Sequence, residues 1–254
     1  MTLELEQLGS SFVELLRRRH PELLPAVPRA PAAVGASATT IVALRFEGGV
    51  VLAADRRATI GGHLVVNDEV VKVFKTDEFS AIAIAGSFGP SVKMARLFQT
   101  ELEHYEKIEG VALTLEGKAN RLSQMIEQNL QAAMMGLPVM PLFAGYDHDR
   151  EEGRIFEYDI TGGTFIREKT EPFSASGSGG DRAHATLEHF WREGMNREQA
   201  VELARRALEF AAKKDAATGG ASYLMKVITK AGIEDIEGRT ALGSATPHPH
   251  PGKT

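Results

Sequence analysis

The sequence predicts an α+β protein, a four-layer αββα sandwich in which two antiparallel sheets pack face to face between two pairs of helices. Three observations support this prediction. Strand-like and helix-like segments come in blocks, in the order strands, two helices, strands, two helices, strands. Strict β-α-β alternation, which is typical of a doubly wound parallel sheet, is missing. The first two strands are also separated by a glycine pair, which indicates an antiparallel hairpin.

The first block contains four apolar runs with the composition of strands. Gly48-Gly49 separates the first two as a hairpin turn, and Gly86 closes the last. The four predicted strands are 39–46, 50–54, 70–74 and 80–85. The later predicted strands are 139–145, 154–159, 164–167, 172–176, 221–230 and 233–236.

Four segments carry apolar residues at helical spacing. The predicted helices are 90–107, 116–135, 180–193 and 197–213. Gly110 and Gly136 follow the first two as stop signals. Asn196 and Gln199, three residues apart, predict a capping box at the start of the fourth helix.

The two ends of the chain differ from this core. Four prolines fall within residues 21–31, which forbids a regular helix or a central strand there. A disordered tail is the simplest interpretation of residues 1–38. We expect residues 238–254 to form a loose tail as well. We therefore expect the folded core at 39–237.

Composition excludes several classes of protein. The 254 residues carry 29 basic and 34 acidic side chains, a net charge of −5, which argues against nucleic-acid binding. The chain has no cysteine, which excludes disulfides and thiolate catalysis and fits a reducing cytoplasm. No apolar run approaches the ~18 residues of a membrane span, and the acidic start lacks the features of a secretory signal. We expect a cytoplasmic protein with neither a nucleic acid nor a membrane as partner.

Most familiar catalytic patterns are missing from the sequence. The histidines show no metal-ligand spacing, since His184 and His189 are five apart on a predicted helix, so neither a metal nor another cofactor is expected. No GxSxG or GxxxxGK[ST] motif occurs. The glycine run at 177–180 precedes a helix and could cradle an anion, although a tight turn is the simpler interpretation.

One group of polar residues has a suggestive spacing. Thr39 opens the first strand, Asp55 closes the second 16 residues later, and Lys72 lies in the third after a further 17. A hairpin and a neighbouring strand would bring these three side chains together. Each also has an ordinary explanation, as an edge threonine, a turn aspartate and a surface lysine. The spacing alone therefore leaves catalysis open.

Several separated motifs resemble those of the β subunits of 20S proteasomes, most closely the actinobacterial type. They are, in order, TTIVALRFEGGVVLAADRRAT, EVVKVF, AIAGSFG, ELEHYEKIEGVALTLEGKANRLSQMI, PLFAGYD, GSGG and DAATGG. The resemblance spans residues 39–236 and implies the fold of the N-terminal-nucleophile hydrolases. The related two-ring bacterial threonine protease shares some of these features but lacks the EHYEKIEG…GKANRL stretch, and so ranks second.

The resemblance implies roles for individual residues of a threonine endopeptidase. Thr39 would be the nucleophile, Asp55 and Lys72 its charged partners, and the backbone N–H of Gly86 the oxyanion donor. The further residues of the catalytic site would be Ser178, Asp215 and Thr218. The residues along the substrate strand would be Thr59 and Ser87, and those lining the pocket for the side chain before the cleaved bond would be Ala58, Val70, Ile84, Phe88 and Val92.

The chemistry of an N-terminal threonine explains this choice of residues. A threonine hydroxyl is a poor nucleophile until a base takes its proton, and a free α-amine, with a pKa of roughly 7.7–8.0, suits that task. Thr39 supplies both groups only after the Ala38–Thr39 bond is cut, because an amide nitrogen is not basic. The resemblance thus makes residues 1–38 a propeptide removed by self-cleavage, 39–237 the catalytic domain and 238–254 a tail.

The sequence departs from the family pattern at two points. Ala38 stands where family members usually carry glycine, which affects the expected speed of self-cleavage because only glycine adopts positive φ freely. One extra residue lies near Gly61-Gly62, which affects the alignment at Lys72. Two other function classes stay open: a non-catalytic structural subunit of the same fold, and an amidohydrolase with an N-terminal nucleophile that acts on small molecules.

The resemblance also implies partners and a specificity. The partners are α subunits, other β subunits in heptameric rings stacked in the order α, β, β, α, a ring-shaped ATPase regulator and unfolded polypeptide substrates. The five predicted pocket residues are small or apolar and none is acidic, which predicts cleavage after Leu, Tyr or Phe. The bulk of Phe88 favours Leu among the three.

Overall fold

The computed structural model of the chain describes residues 36–37, 39–60, 64–167, 170–216, 218–220 and 222–239. Most of both predicted tails, the predicted cleavage position at Ala38 and the extra residue near Gly61-Gly62 lie outside the described residues. The described strands are β1 (Ala36–Ser37), β2 (Thr40–Phe46), β3 (Gly49–Asp55), β4 (Ala58–Ile60), β5 (Leu64–Asn67), β6 (Val73–Lys75), β7 (Ser80–Ser87), β8 (Val139–Asp147), β9 (Glu152–Tyr158), β10 (Thr164–Arg167), β11 (Phe173–Gly177), β12 (Ser222–Thr229) and β13 (Gly232–Arg239). The described helices are α1 (Phe88–Glu109), α2 (Leu115–Gln128), α3 (Leu130–Met134), α4 (Gly180–Phe190) and α5 (Arg197–Lys214).

Two antiparallel sheets form the centre of the fold. One has the order β1-β7-β8-β9-β10, with β6 also paired to β7, and the other has the order β11-β2-β3-β12-β13. β6 and β1 pair with successive parts of β7, at 81–83 and at 86–87. The strands β4 and β5 form a separate hairpin. The predicted four-layer sandwich of the N-terminal-nucleophile type is confirmed.

Alternation of side chains along the strands builds three apolar layers, because successive residues of a strand point to opposite faces. In β2, Ile41 and Ala43 belong to the core between the two sheets. Val42 and Leu44 instead pack with residues of α4 and α5 on the outer face of that sheet. Residues such as Ile82 of β7 pack outward with α1 and α2 in the same way. Each sheet is therefore buried on both faces.

The helix ends follow signals that the sequence contains. The predicted capping box at the start of α5 is present: the Asn196 side chain accepts from the Gln199 amide at 2.9 Å, and the Gln199 side chain accepts from the Asn196 amide at 3.0 Å. Gly110 ends α1 in the left-handed conformation, with a φ of 73°. The helix predicted over 116–135 is interrupted at Asn129, which separates α2 from α3.

The prediction of a strand over 70–74 is wrong in its first half, because β6 begins only at Val73. The Val70 amide bonds the carbonyl of Arg56 at 3.0 Å, while the Lys72 carbonyl accepts from the Ile84 amide at 2.9 Å. This segment therefore crosses from the end of β3 to β7, and Lys72 precedes the strand instead of lying within it. Sequence analysis also missed the short hairpin of β4 and β5 and the pairing of β1.

None of the helices in the described part of the chain is long and apolar enough to cross a membrane.

The two sheets approach each other closely where strands β3 and β9 cross. A Cβ atom at Gly153 would lie 2.4 Å from the carbonyl carbon and oxygen of Gly49 and 2.8 Å from the amide nitrogen of Val50. These neighbours are backbone atoms of a central strand, so they cannot move aside as a flexible side chain would. Only glycine fits at this crossing.

We expect Gly153→Ala to lower the free energy of unfolding by about 1–3 kcal/mol, because the added methyl overpacks the interface between the sheets. Gly89→Ala is the matched control, since a Cβ at Gly89 in the first turn of α1 meets nothing within 4 Å. Urea denaturation of both variants measures the difference. Equal unfolding midpoints for the two would contradict the close approach of β3 and β9.

Candidate active site

Thr39 lies immediately before β2, where that strand is paired with the end of β11. Gly177, the last residue of β11, is the partner of Thr40. Thr39 is 3% exposed, and the Ser178 hydroxyl lies 3.5 Å from its carbonyl oxygen as a donor. The predicted nucleophile is therefore held at the end of the sheet, next to the glycine run 177–180 that sequence analysis interpreted as a tight turn.

Asp55 and Lys72 form a buried ion pair beside this strand end. Lys72 Nζ donates to Asp55 Oδ1 at 2.9 Å, and the two side chains are 1% and 4% exposed. Lys72 Nζ also donates to the carbonyl of Arg57. Within the described residues, two of the three N–H groups of the ammonium are thus engaged, which leaves the third for another acceptor.

The Asp55 carboxylate accepts hydrogen bonds at both oxygens. Besides Lys72, Oδ1 accepts from the Thr40 amide at 2.8 Å. Oδ2 accepts from the amides of Arg57 at 3.1 Å and Gly219 at 3.0 Å. Every one of these partners is a donor, as an ionised carboxylate requires. The charge of Asp55 is therefore satisfied by four donors from separate positions along the chain.

Burial lowers the pKa of Lys72 below the usual lysine value, because removal from water disfavours its charged form. The negative charge of Asp55 and its hydrogen bond act in the opposite direction, and the positive charge of Arg57 adds to the lowering. Lys72 consequently releases a proton more readily than a solvent-exposed lysine does.

A second polar cluster joins the end of α5 to the turn between β11 and α4. Asp215 follows α5, and its Oδ2 accepts from the hydroxyls of Ser178 at 2.5 Å and Thr218 at 2.7 Å. The Thr218 hydroxyl is also 2.7 Å from that of Thr40, which is fully buried. The structure thus brings together the three predicted supporting residues and adds Thr40, which sequence analysis did not select.

Gly86 lies inside β7 instead of ending it, with a φ of 98° that glycine tolerates and other residues rarely adopt. A Cβ there would lie 2.3 Å from the carbonyl oxygen of Pro138. In β1, Ser37 and Ala36 pair with Gly86 and Ser87. The segment that precedes Thr39 therefore runs along the backbone that was predicted to bind the oxyanion and the substrate.

The predicted substrate-strand residues flank this segment. β1 lies against both β4, which carries Thr59, and β7, which carries Ser87. Both side chains are buried, Thr59 at 4% exposure and Ser87 at 1%. Among the described residues the Ser87 hydroxyl finds no hydrogen-bond partner, an uncommon state for a buried polar group.

The five residues predicted to line the specificity pocket differ in burial. Ile84 is buried on the helix face of β7, and half-buried Val92 packs with the same apolar cluster under α1 and α2. Ala58, Val70 and Phe88 are half-buried on β4, before β6 and at the start of α1. Their role in specificity stays a prediction.

Within the described ranges, no group of three or more His, Cys, Asp or Glu residues is placed to hold a metal ion.

Two antiparallel sheets between helix pairs, with a threonine at the head of an inner strand, define the class of N-terminal-nucleophile hydrolases. The family model described as "Proteasome subunit" matches residues 36–227. A protein named proteasome subunit beta from Acidimicrobium ferrooxidans is 53% identical over 207 residues, which are 82% of this chain and 74% of that protein. Another of that name from Streptomyces griseus is 50% identical over 223 residues, 86% of this chain and 78% of its own length. The chain therefore belongs to the proteasome subunit family, and the predicted resemblance to actinobacterial β subunits is confirmed.

We expect Asp55→Asn to lower the free energy of unfolding by about 3–5 kcal/mol, the usual loss when one partner of a buried ion pair is removed. An amide at this position would turn an NH₂ group toward donors and leave the Lys72 charge uncompensated.

Asp68→Asn is the matched control for this variant. Asp68 also pairs with a cation, Arg57 at 2.8 Å, but its side chain is 43% exposed. Its loss should cost less than about 1 kcal/mol. Urea denaturation followed by Trp191 fluorescence compares the two, and similar midpoints would show that the Asp55–Lys72 pair contributes no more than a surface pair.

Proposed function

We propose that this chain is a catalytic β subunit of a bacterial 20S proteasome, a threonine endopeptidase that hydrolyses peptide bonds of unfolded proteins in the cytoplasm. It would assemble with α subunits and other β subunits into stacked heptameric rings served by a ring-shaped ATPase. The observation that carries this proposal is the buried Asp55–Lys72 pair, hydrogen-bonded to the residue next to Thr39. A buried lysine whose pKa is shifted by burial and by a specific charged partner is typical of a functional site.

Thr39 is proposed to act first on its own chain. Attack of its hydroxyl on the carbonyl carbon of Ala38 would form an ester to Thr39 and break the Ala38–Thr39 amide bond, with the hydroxyl proton passing to the departing nitrogen, which becomes the α-amine of Thr39. Hydrolysis of this ester by water would then release residues 1–38 and restore the Thr39 hydroxyl. That amine then becomes the base that takes the hydroxyl proton when a substrate is cleaved. Residues 1–38 are accordingly a propeptide that keeps the enzyme inactive before assembly.

Lys72 is proposed to stabilise the developing alkoxide of Thr39. Asp55 and the carbonyl of Arg57 take two of its N–H groups, which leaves a third proton for the hydroxyl oxygen. The lowered pKa of Lys72 also reduces the energy needed to share that proton. Its role is electrostatic, and the α-amine remains the base.

The pairing of β1 supports the proposed site for substrate. Residues 36 and 37 form an antiparallel ladder with Gly86 and Ser87, and β4 lies against them. A substrate strand could take the same place once the propeptide has left. Its carbonyl would then lie near the Gly86 N–H, the proposed oxyanion donor.

A non-catalytic subunit of the same assembly is the second candidate function. In such subunits the nucleophile or its partners are usually missing, whereas here Thr39 and both polar clusters around it are complete. The two-ring bacterial protease is less favoured, because the chain is about half identical to proteasome β subunits over most of its length.

We expect Thr39→Ala to abolish peptide hydrolysis, by more than about a thousandfold, because the variant has no nucleophile. The same hydroxyl serves self-cleavage, so residues 1–38 should stay attached. Intact mass and turnover of a fluorogenic peptide by particles formed with the α subunit measure both effects.

Thr100→Ala is the matched control for this substitution. Thr100 is an exposed threonine of α1 whose hydroxyl, within the described residues, bonds the Arg96 carbonyl of the same helix. This variant should mature to a chain that begins at Thr39 and should hydrolyse peptides normally. Active wild-type particles that still begin at Met1 would contradict the mechanism.

We expect peptides with Leu before the cleaved bond to be hydrolysed at least about tenfold faster than those with Arg or Glu, because an apolar pocket gains from burying an apolar side chain and must desolvate a charged one. Phe88→Ala should enlarge the pocket and raise the rate for Phe relative to Leu. Phe165→Ala, a 54% exposed phenylalanine on β10, is the control. Faster turnover of the Arg or Glu peptides would overturn the pocket assignment and leave the nucleophile unaffected.

A further inference from the structure

Thr40 hydrogen-bonds both polar clusters of the candidate site. Its backbone N–H donates to Asp55 Oδ1 at 2.8 Å, beside the bond from Lys72. Its hydroxyl lies 2.7 Å from that of Thr218, which belongs to the cluster of Asp215. The residue is fully buried, so water does not compete for either contact.

The hydrogen bond between the two threonine hydroxyls has one possible direction. A threonine hydroxyl has a single proton, and Thr218 gives its proton to Asp215 Oδ2 at 2.7 Å. Thr218 must therefore accept from Thr40. The result is a directed chain from Thr40 through Thr218 to the carboxylate of Asp215, which also accepts from Ser178.

The glycine run after β11 leaves room for this chain. A Cβ atom at Gly179 would lie 2.3 Å from the Thr40 hydroxyl oxygen and 3.0 Å from that of Thr218. A residue larger than glycine would displace the pair of hydroxyls. The GSGG turn thus has a steric function here besides presenting Ser178.

We propose that Thr40 is a positioning residue that aligns the two polar clusters around the nucleophile. This inference rests on the proposed function, since it concerns the same site. The hydroxyl of Thr40 fixes Thr218 and Asp215 relative to β2, while its amide fixes Asp55 and Lys72 relative to the same strand. Because Thr40 directly follows Thr39, both clusters take their position from the backbone that carries the nucleophile.

A buried threonine with a purely structural role would give a different result on substitution. Valine has nearly the same shape and would serve a packing role almost as well. A positioning role requires the hydroxyl itself, which serine retains and valine lacks. Thr40→Val and Thr40→Ser therefore separate the two roles.

The test measures kcat and KM for a fluorogenic peptide with particles formed from the full chain and its α subunit. We expect Thr40→Val to lower kcat by at least about tenfold with KM within about twofold, and Thr40→Ser to remain within about threefold of wild type. Thr186→Val is the control, because the hydroxyl of Thr186 bonds the Arg182 carbonyl of its own helix α4 and, in the described part of the chain, neither polar cluster. It should leave both constants unchanged.

A double-mutant cycle identifies the route by which Thr40 acts. Thr218→Val removes the acceptor of the Thr40 proton, so adding Thr40→Val to Thr218→Val should reduce kcat little further. Multiplicative losses, or a Thr40→Val enzyme with normal kcat, would overturn the proposal. Where Thr40→Val does not assemble, Thr40→Ala takes its place, since it also lacks the hydroxyl and adds no bulk: a kcat at least about tenfold below that of Thr40→Ser supports the positioning role, and a kcat equal to that of Thr40→Ser overturns it.

Two further assays separate the failure of this inference from the failure of the proposed function. Thr39→Ala and wild type are assayed beside the variants. If the two are equally inactive, the proposed function fails and with it the inference. If wild type is active and Thr39→Ala is not, but Thr40→Val equals wild type, the positioning role alone is wrong.

Discussion

The buried ion pair of Asp55 and Lys72 is the interaction on which the rest of the candidate site depends. Burying two charges is costly unless their remaining hydrogen-bonding groups are satisfied. Here the carboxylate also accepts from amides in β2, in the turn after β3 and at Gly219 near β12. Those donors come together only when the β2–β3 hairpin has formed and the residues just before β12, which include Gly219, lie against it. Pairing of β2, β3 and β12 in one sheet therefore also brings these donors to Asp55.

The general architecture could be predicted from the sequence because its signals are local. The hairpin turn at Gly48-Gly49, the alternation that sends Ile41 inward and Val42 outward, and the capping box at Asn196 each depend on neighbouring residues. The errors fall where the backbone depends on distant partners. The segment at Lys72 bonds to Arg56 on one side and to β7 on the other. Its apolar residues predict a strand from position 70, but these distant bonds delay the start of β6 to Val73. Residues 36–37 likewise form a strand only because β7 offers an edge.

The candidate site could be predicted in part, and only through resemblance to a family. The spacing of Thr39, Asp55 and Lys72 is equally compatible with an edge threonine, a turn aspartate and a surface lysine, and the burial of the three side chains argues against these ordinary roles. Thr40 was missed for a further reason. Its hydroxyl partner, Thr218, is 178 residues away in the chain, and the doubled threonine is the one signal in the sequence that could have drawn attention to it. Hydrogen bonds between residues so far apart in the sequence can be identified only from a structure.

Under the proposed function, the place of β1 makes propeptide and substrate exclude each other. Gly86 and Ser87 form a short stretch of β7, and the residues just before Thr39 are paired with it. The same segment is continuous with the nucleophile, whose nitrogen is an amide as long as that segment stays attached. As long as the Ala38–Thr39 bond is intact, the α-amine that would act as the base does not exist. The stretch of β7 that would pair with a substrate strand is occupied at the same time. Its cleavage supplies the amine and permits the edge of β7 to open, so activation needs no rearrangement of the buried Asp55–Lys72 pair.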